Sequence, residues 1–460
     1  MTKAIVTFGR PFVLAIALHC VLTALPARAQ SSLEGLWTSE GYALLLDFSG
    51  DELNVIEITS ISCMPSWTAR RTSTAMGEQG DIFSGSRGRV RFFNTISSDI
   101  IRMHIDGTVS DILLRKTGTR AKQCAKLPTN TPITNYAVFW QTFYENYPFF
   151  ALHHVNWSAV DQKSRNQVTL ATKPDQLFRI FQQMIEPLQD SHTGLKASDI
   201  NQEFDGWRPT PNHLDGSQWK TASEIIIAKY LEGTLMSFCK GHLQFGTLKK
   251  SIGYLRITAF YDYADTPSYD DRLHALDSAL DSIFKDTSMW NGLVIDVRQN
   301  NGGDDSLGMA LASRLTTSRY LAYKKVARKT RNKRLRFTSP EEVWAEPSAR
   351  PGFHGNVILL TGPDTISAGE TFTMALMGRD PHVIRIGRNT QGVFSDVLNR
   401  TLPNGWRFHL PNEIYYTKDR KSFDSTGIPP DLDVSFFSPE DVRAVRDSAL
   451  DRALQLLADR

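Results

Sequence analysis

Hydrophobic and polar positions change their period along this chain, and the changes divide it. LWTSEGYALLLDFSGDELNVIEI alternates apolar and polar residues around a turn at Ser49, Gly50 and Asp51, the pattern of a hairpin of half-buried strands. RVRFFN, IIRMHI, a turn at Asp106 and Gly107, and then DILLRKT repeat it. Short strands with Gly and Asp turns predict a small β domain over residues 31–118, a barrel or compact meander with no evident chemistry. Residues 119–134 are polar and carry prolines, as a linker would. The period then becomes helical. In NYAVFWQTFYENYPFF, Phe139 and Phe143 stand four apart with Trp140, Tyr144 and Tyr147 adjoining, an aromatic stripe that reads as core. A second helix opens at Pro174 and Asp175, carries Leu177, Phe181, Met184, Ile185 and Leu188, and leads into LQDSHTG. These elements predict a helical subdomain over residues 135–195.

From residue 196 to 440 strands alternate with helices, which argues for an α/β core. Pro209, Pro211 and Gly216 interrupt its start, after which EIIIAKYL and GTLMSF are expected to pair as strands. IGYLRITAF (252–260) is a strand and DDRLHALDSALDSIF (270–284) a helix with Leu273, Leu276, Leu280 and Phe284 on one side. GLVIDVR is a buried strand that ends in Gln299, Asn300, Asn301, Gly302 and Gly303, and another helix follows. NVILLTGPDTISAGE (356–370) reads as a buried strand, a short turn, Ser367 and the start of a helix, TFTMAL. A strand around 383–386, a strand pair over 397–410 and a tail helix from Pro439, filling 441–460, complete the chain.

The 460 residues allow two or three domains, and 41% hydrophobic with 22% charged residues is the balance of a globular protein. The beginning sets an expected address. Lys3 and Arg10 precede an apolar run to Leu25 that closes in Ala27, Arg28 and Ala29, the form of a secretory signal peptide over residues 1–29. That run falls short of the ~20 residues a membrane span needs. An uncleaved anchor is the other reading. Removal would take away Lys3, Arg10 and Arg28 and no acid, leaving 49 basic and 49 acidic residues. A formally neutral protein has no general attraction for nucleic acid or an anionic surface. The expectation is a secreted or periplasmic protein without a membrane span once the signal is removed. Cys63 and Cys124 are able to pair across the first domain in an oxidising compartment, with Cys239 left as a buried thiol. No Cys or His cluster suggests zinc.

Four separated places, each at the end of a regular element, carry residues suited to nucleophilic catalysis. Ser367 stands at a strand-to-helix turn, where helix amides face developing negative charge, although a serine there also serves as a helix cap. His192 follows a helix between Ser191 and Thr193, as a base or as a capping residue. Gly302 and Gly303 follow a buried strand and are able to present amides at close range, or simply to turn the chain. Asp424, in FDSTGIPPDLDV, suits the orientation of a base, or an Asx turn.

DVRQNNGG, VILLTGPDTISAGETF, IGRNTQG, LPNGWRFHLP and GIPPDLDV, in that order, resemble the C-terminal processing (tail-specific) peptidase family. The resemblance covers roughly residues 135–440 and is nearest the branch that contains the tricorn protease core and the interphotoreceptor retinoid-binding protein repeats. It implies a crotonase/ClpP-like α/β core behind a helical subdomain, here with a small N-terminal all-β domain added. It also implies Ser367 as nucleophile and the amides of Ala368 and of Gly302 or Gly303 as oxyanion hole. The processing peptidases take their base from a lysine some 25 residues after the serine. The stretch here is Thr390, Gln391, Gly392 and Val393, without lysine. The tricorn-like branch uses a histidine, which LQDSHTG matches with His192 as base and Ser191 as helper. Its orienting glutamate falls at Asp424, one methylene shorter. About 60 residues lie between His192 and Ile252, too few for the PDZ domain usual in processing peptidases, and the basic run at 324–336 is either a solvated hairpin or a site for a peptide carboxylate. The expected activity is hydrolysis of a peptide or protein substrate through an acyl-enzyme, with no metal or other cofactor. An esterase or amidase with the same residues, and a non-catalytic carrier of a hydrophobic ligand, are the alternatives.

Overall fold

The computed structural model describes Met1 and residues 33–74, 80–210, 213–249, 251–329 and 336–458. The expected signal peptide, apart from Met1, lies outside the described residues. Glu34–Arg460 form one compact unit, described here. Eight strands open it: β1 (Gly35–Ser39), β2 (Leu44–Ser49), β3 (Glu52–Ile58), β4 (Cys63–Thr74), β5 (Asp81–Gly85), β6 (Gly88–Asn94), β7 (Ile100–Ile105) and β8 (Asp111–Thr117). Each pairs antiparallel with the next, and β8 returns to β1 through Leu36 opposite Thr117. The result is a closed barrel, one of the two forms expected from the alternation. Its interior is filled by side chains, with Phe48, Phe83 and Phe92 meeting edge to face at centroid distances of 5.0–5.5 Å. Cys63 and Cys124 are bridged, and Cys239 is free and buried.

Helices α1 (Pro132–Asn146), α2 (Trp157–Ser164) and α3 (Pro174–Ile185) follow. The aromatic stripe is core: Phe139 stacks on Phe181 at 4.3 Å and packs on Phe408. Short strands β9 (Gly194–Ala197) and β10 (Gln202–Asp205) precede α4 (Gly216–Lys229). Here one expectation fails, because EIIIAKYL is helical. Asp215 accepts the N–H groups of Ser217 and Gln218, and Gln218 bonds back to the Asp215 N–H, a capping box that starts a helix before the isoleucines arrive. Trp219, Ala222, Ile225 and Ile226 then share its buried face. Of the expected strand pair only β11 (Met236–Phe238) forms, and its partner is β12 (Leu243–Leu248).

The remaining elements are β13 (Ile252–Ile257), α5 (Tyr269–Ile283), β14 (Gly292–Asp296), α6 (Asp305–Ser313), β15 (Tyr320–Ala327), β16 (Glu341–Ala345), β17 (Val357–Thr361), α7 (Ala368–Leu376), β18 (Ile384–Gly387), β19 (Val397–Thr401), β20 (Arg407–Pro411), β21 (Glu413–Tyr416), β22 (Leu432–Asp433), α8 (Pro439–Arg443) and α9 (Ser448–Ala458). A seven-stranded sheet has the order β11-β12-β13-β14-β17-β18-β22, parallel from β13 onward. Every residue of β14 and β17 is buried, which explains their unbroken apolar sequence. Both strands end at one level, Asp296 opposite Leu360, so their following loops meet at the carboxyl edge of the sheet. Two smaller sheets have the orders β10-β9-β20-β19 and β16-β15-β21. Of the basic run at 324–336, residues 330–335 lie outside the described residues. Lys325 and Arg328 are buried, and Arg328 donates to the carbonyls of Tyr144 and Tyr147.

Candidate active site

Ser367 is held by backbone on every side. The Thr365 hydroxyl donates to the Val297 carbonyl (2.8 Å) and accepts the Gly362 N–H (3.1 Å), which closes the turn after β17. The Ile366 N–H donates to Asn300 O, and the Ser367 N–H to Val393 O at 3.1 Å. Within this frame Ser367 has φ 55° and ψ −118°, a conformation that costs a side-chain-bearing residue about 1–3 kcal/mol. Its hydroxyl makes no capping bond to α7, so the cap alternative does not describe what this side chain does. The Ala368 N–H, first in the helix, makes no hydrogen bond among the described residues.

The glycines explain their own necessity. A Cβ on Gly302 (φ +85°) would lie 2.7 Å from Ser367 Cβ and 3.2 Å from its Oγ, and one on Gly303 (φ +133°) would lie 2.3 Å from the Phe260 carbonyl oxygen. The two amides are not equivalent. That of Gly302 donates to Asn300 Oδ1 at 3.0 Å, whereas that of Gly303 makes no hydrogen bond among the described residues. Gly303, next to the glycine packed on Ser367, and Ala368, next to Ser367 in the chain, therefore carry N–H groups without a partner among the described residues.

His192 lies beyond α3, past a 3-10 turn at Glu186–Leu188 and a left-handed Gln189. Asp190 organises this loop. Its Oδ1 accepts the His192 N–H (2.9 Å), its Oδ2 the Tyr147 hydroxyl (2.8 Å), and its carbonyl the Thr193 hydroxyl. The imidazole Nδ1 is sealed from solvent without a hydrogen-bond partner. Burial pulls the imidazole below its ordinary 6.5, and His409 adds to this; Asp190, Asp396 and the Ser395 backbone beside the ring oppose it. A neutral ring able to accept a proton is the result. Among the described residues no hydrogen bond joins His192 to the Ser367 hydroxyl. Both residues instead flank residues 393–395. Among the described residues the Ser191 hydroxyl meets only the Gln391 amide, at 3.5 Å.

Asp424 is buried, accepts the Ser422 hydroxyl (2.6 Å) and makes no hydrogen bond to His192. The two face one cavity of about 10 Å³, room for a single water, whose lining includes Asp190, Arg208 and Ser425. Burial, and then the carboxylates of Asp190 and Glu370, push Asp424 well above the carboxylate range; Ser422 and the Phe394 backbone pull the other way.

Two carboxylates were not singled out from the sequence. Asp190 is one. The other is Glu370, fully buried, whose Oε1 accepts the Thr390 hydroxyl (2.5 Å) and the Gly392 N–H (2.6 Å) and whose Oε2 accepts the Val393 N–H (2.7 Å). Burial pushes it up to about 7 despite these bonds. An acid three residues after the serine in an otherwise apolar helix was its signal. Among the described residues no cluster of His, Cys, Asp or Glu is arranged to hold a metal, and no helix is long and apolar enough to cross a membrane.

With this geometry in view, comparison with known proteins is informative. The family model for peptidase family S41 matches residues 251–434, which contain Gly302, Gly303, Ser367 and Asp424. Residues 251–434 are thus similar to peptidase family S41. A second model, the tricorn protease C1 domain, matches residues 128–186, where this chain has α1 to α3. His192 stands between the two matched stretches. Tricorn protease of Thermoplasma acidophilum is 23% identical over 178 residues, 38% of this chain but only 15% of the relative's length. Among solved structures, a candidate peptidase from Parabacteroides merdae superposes with a TM-score of 0.59 at 24% identity, covering 72% of this chain and 97% of that one. Mature CPAF, solved in complex with lactacystin, gives 0.53 at 12% identity and covers 72% and 99%. These last two likenesses bear on the fold alone. The α/β core with its N-terminal all-β domain is the expected architecture.

Proposed function

We propose that this chain is a secreted or periplasmic serine peptidase in which Ser367 is the nucleophile and His192 the base. The observation that carries the reading is Ser367 itself: a positive φ, a hydroxyl not spent on the helix cap, and the unpaired amide of Ala368 beside it. Ser367 Oγ attacks a peptide carbonyl and gives its proton to neutral His192. The oxyanion accepts the N–H groups of Ala368 and Gly303, while Gly302, whose own amide is engaged, leaves the space that Ser367 needs. The C–N bond then breaks, the amine leaves with the proton from His192, and water hydrolyses the acyl-enzyme with His192 again as base. Asp424 supports the imidazolium across the small cavity, since a positive ring draws the buried acid toward its ionised form. Ser191 assists through Gln391. Secretion rests on the signal-like residues 1–29.

Labelling of the mature protein with a fluorophosphonate tests this. Wild type should label at Ser367, and Ser367→Ala and His192→Ala should lose the label by about 10³-fold or more. Unlabelled but well-folded wild type sinks the reading. Peptide against ester turnover then separates a peptidase from an esterase or amidase.

A further inference from the structure

The barrel contributes nothing to the chemistry so far, yet one of its turns enters the core. Between β1 and β2, three consecutive residues have left-handed backbones: Gly41 (φ 72°), Tyr42 (φ 57°) and Ala43 (φ 50°). Two of them carry a Cβ, for which this conformation is unfavourable. The core holds them in it. The Arg400 guanidinium donates to the Tyr42 carbonyl (2.5 Å), and Gly41 lies so close to β15 that a Cβ would stand 3.1 Å from Ala327 Cβ. The turn delivers the Tyr42 hydroxyl to Glu413 Oε1 at 2.5 Å.

Glu413 is fully buried and faces charged or titratable groups from several elements. Lys325 of β15 reaches Oε1 at 3.0 Å and Asp396 at 3.2 Å, while Asp305 of α6, Glu341 of β16 and Tyr415 of its own strand stand around it. Its Oε2 accepts the Asp396 N–H (3.2 Å). The N–H groups of Asn412 and Glu413 both donate to Ser395 Oγ, at 3.2 and 3.0 Å. The start of β21 thus clamps residues 395 and 396. The same segment, two residues earlier, accepts the Ser367 N–H at Val393, and Ser395 stands beside the His192 ring.

We propose that Tyr42 is a positioning residue of the active site: through Glu413 it holds residues 393–396, to which both Ser367 and His192 are referred, so the barrel is a working part of the peptidase. This rests on the Ser367 and His192 reading above. Burial pushes the Glu413 carboxyl up while Lys325 and the Tyr42 hydrogen bond pull it down, so loss of the phenol lets it protonate at higher pH.

The test is the rate of fluorophosphonate labelling at Ser367 against pH in the full chain. Tyr42→Phe should label about tenfold more slowly at neutral pH, as loss of one hydrogen bond to a charged group predicts, with its acid limb moved upward. Asp270→Asn breaks a different barrel–core contact, the bidentate pair with Arg89, and should stay within about twofold of wild type. Wild-type labelling and an unmoved acid limb in Tyr42→Phe overturn the proposal, as does an equal loss in Asp270→Asn, which would make docking alone the cause. Glu413→Gln keeps the volume and one acceptor. It should show the loss too, and wild-type behaviour there overturns the proposal even if Tyr42→Phe fails to fold. Failure of wild type to label removes the peptidase reading and this inference together, whereas a labelled wild type with an unaffected Tyr42→Phe removes only the inference.

Discussion

The Ser367 loop and the His192 loop approach residues 392–396 from two different parts of the chain and are held there by different forces. Around Ser367 the fastenings are backbone hydrogen bonds and close packing: Ile366 to Asn300, Ser367 to Val393, and Gly302 against the serine Cβ. Around His192 they are titratable side chains, with Asp190 under the loop, Asp424 across a small cavity, and Arg208 donating to the Ser425 carbonyl nearby. Backbone bonds between strand ends do not change with pH. Buried carboxylates and an imidazole do. The serine side is thus fastened mainly by backbone, with Glu370 as its titratable tie to Gly392 and Val393, and the histidine side mainly by charge, and perturbations should separate them.

Gly302→Ala attacks the serine side and should have the largest effect. The added methyl would stand 2.7 Å from Ser367 Cβ at a φ of +85°, so the serine must move. Displacements of about 1 Å cost roughly 10²-fold in rate, and the labelling rate at Ser367 should fall by at least that much at every pH. Unchanged labelling would mean that the close approach is not required.

The histidine side should announce itself in the pH profile. Because burial holds His192 below 6.5, the base is neutral at pH 7 and is lost as pH falls through that lowered value. Labelling should be level around neutrality and decline about tenfold per pH unit below a midpoint under 6.5. A midpoint above 6.5 would show that carboxylate attraction outweighs burial at this ring. The smallest effect is expected for Ser191→Ala. Its 3.5 Å contact with Gln391 is at the limit of a hydrogen bond, and a loss of more than about threefold would give Ser191 a larger part than its geometry suggests.

The elements around Ser367 were legible because each rests on a local pattern. Five buried residues make β14, five make β17, and a glycine pair or a serine follows at the strand end. The barrel was legible for the same reason, since alternation with Gly and Asp turns is a short-range signal. Reading failed at EIIIAKYL because three β-branched residues in a row suggested a strand, while the deciding capping box lay upstream, at Asp215 and Gln218. Asp190 and Glu370 passed unremarked because a carboxylate in a sequence does not show whether it will be buried or which amides it will meet.

From the amino-acid order alone came the α/β core, the all-β start, the aromatic helical core, and the separate stations of Ser191, His192, Gly302, Gly303, Ser367, Ala368 and Asp424. The elements follow from periodicity and turn chemistry, properties of neighbouring residues, while Ser191 and Ala368 were singled out only through the family resemblance. Tertiary structure decided which glycine amide is open, that the serine hydroxyl is not a cap, and that Asp424 faces His192 across a cavity without a hydrogen bond to it. It also decided that a tyrosine of the barrel reaches Glu413, 371 residues away in the chain. Such contacts depend on where distant loops come to rest, and that is set by how the sheets and helices pack.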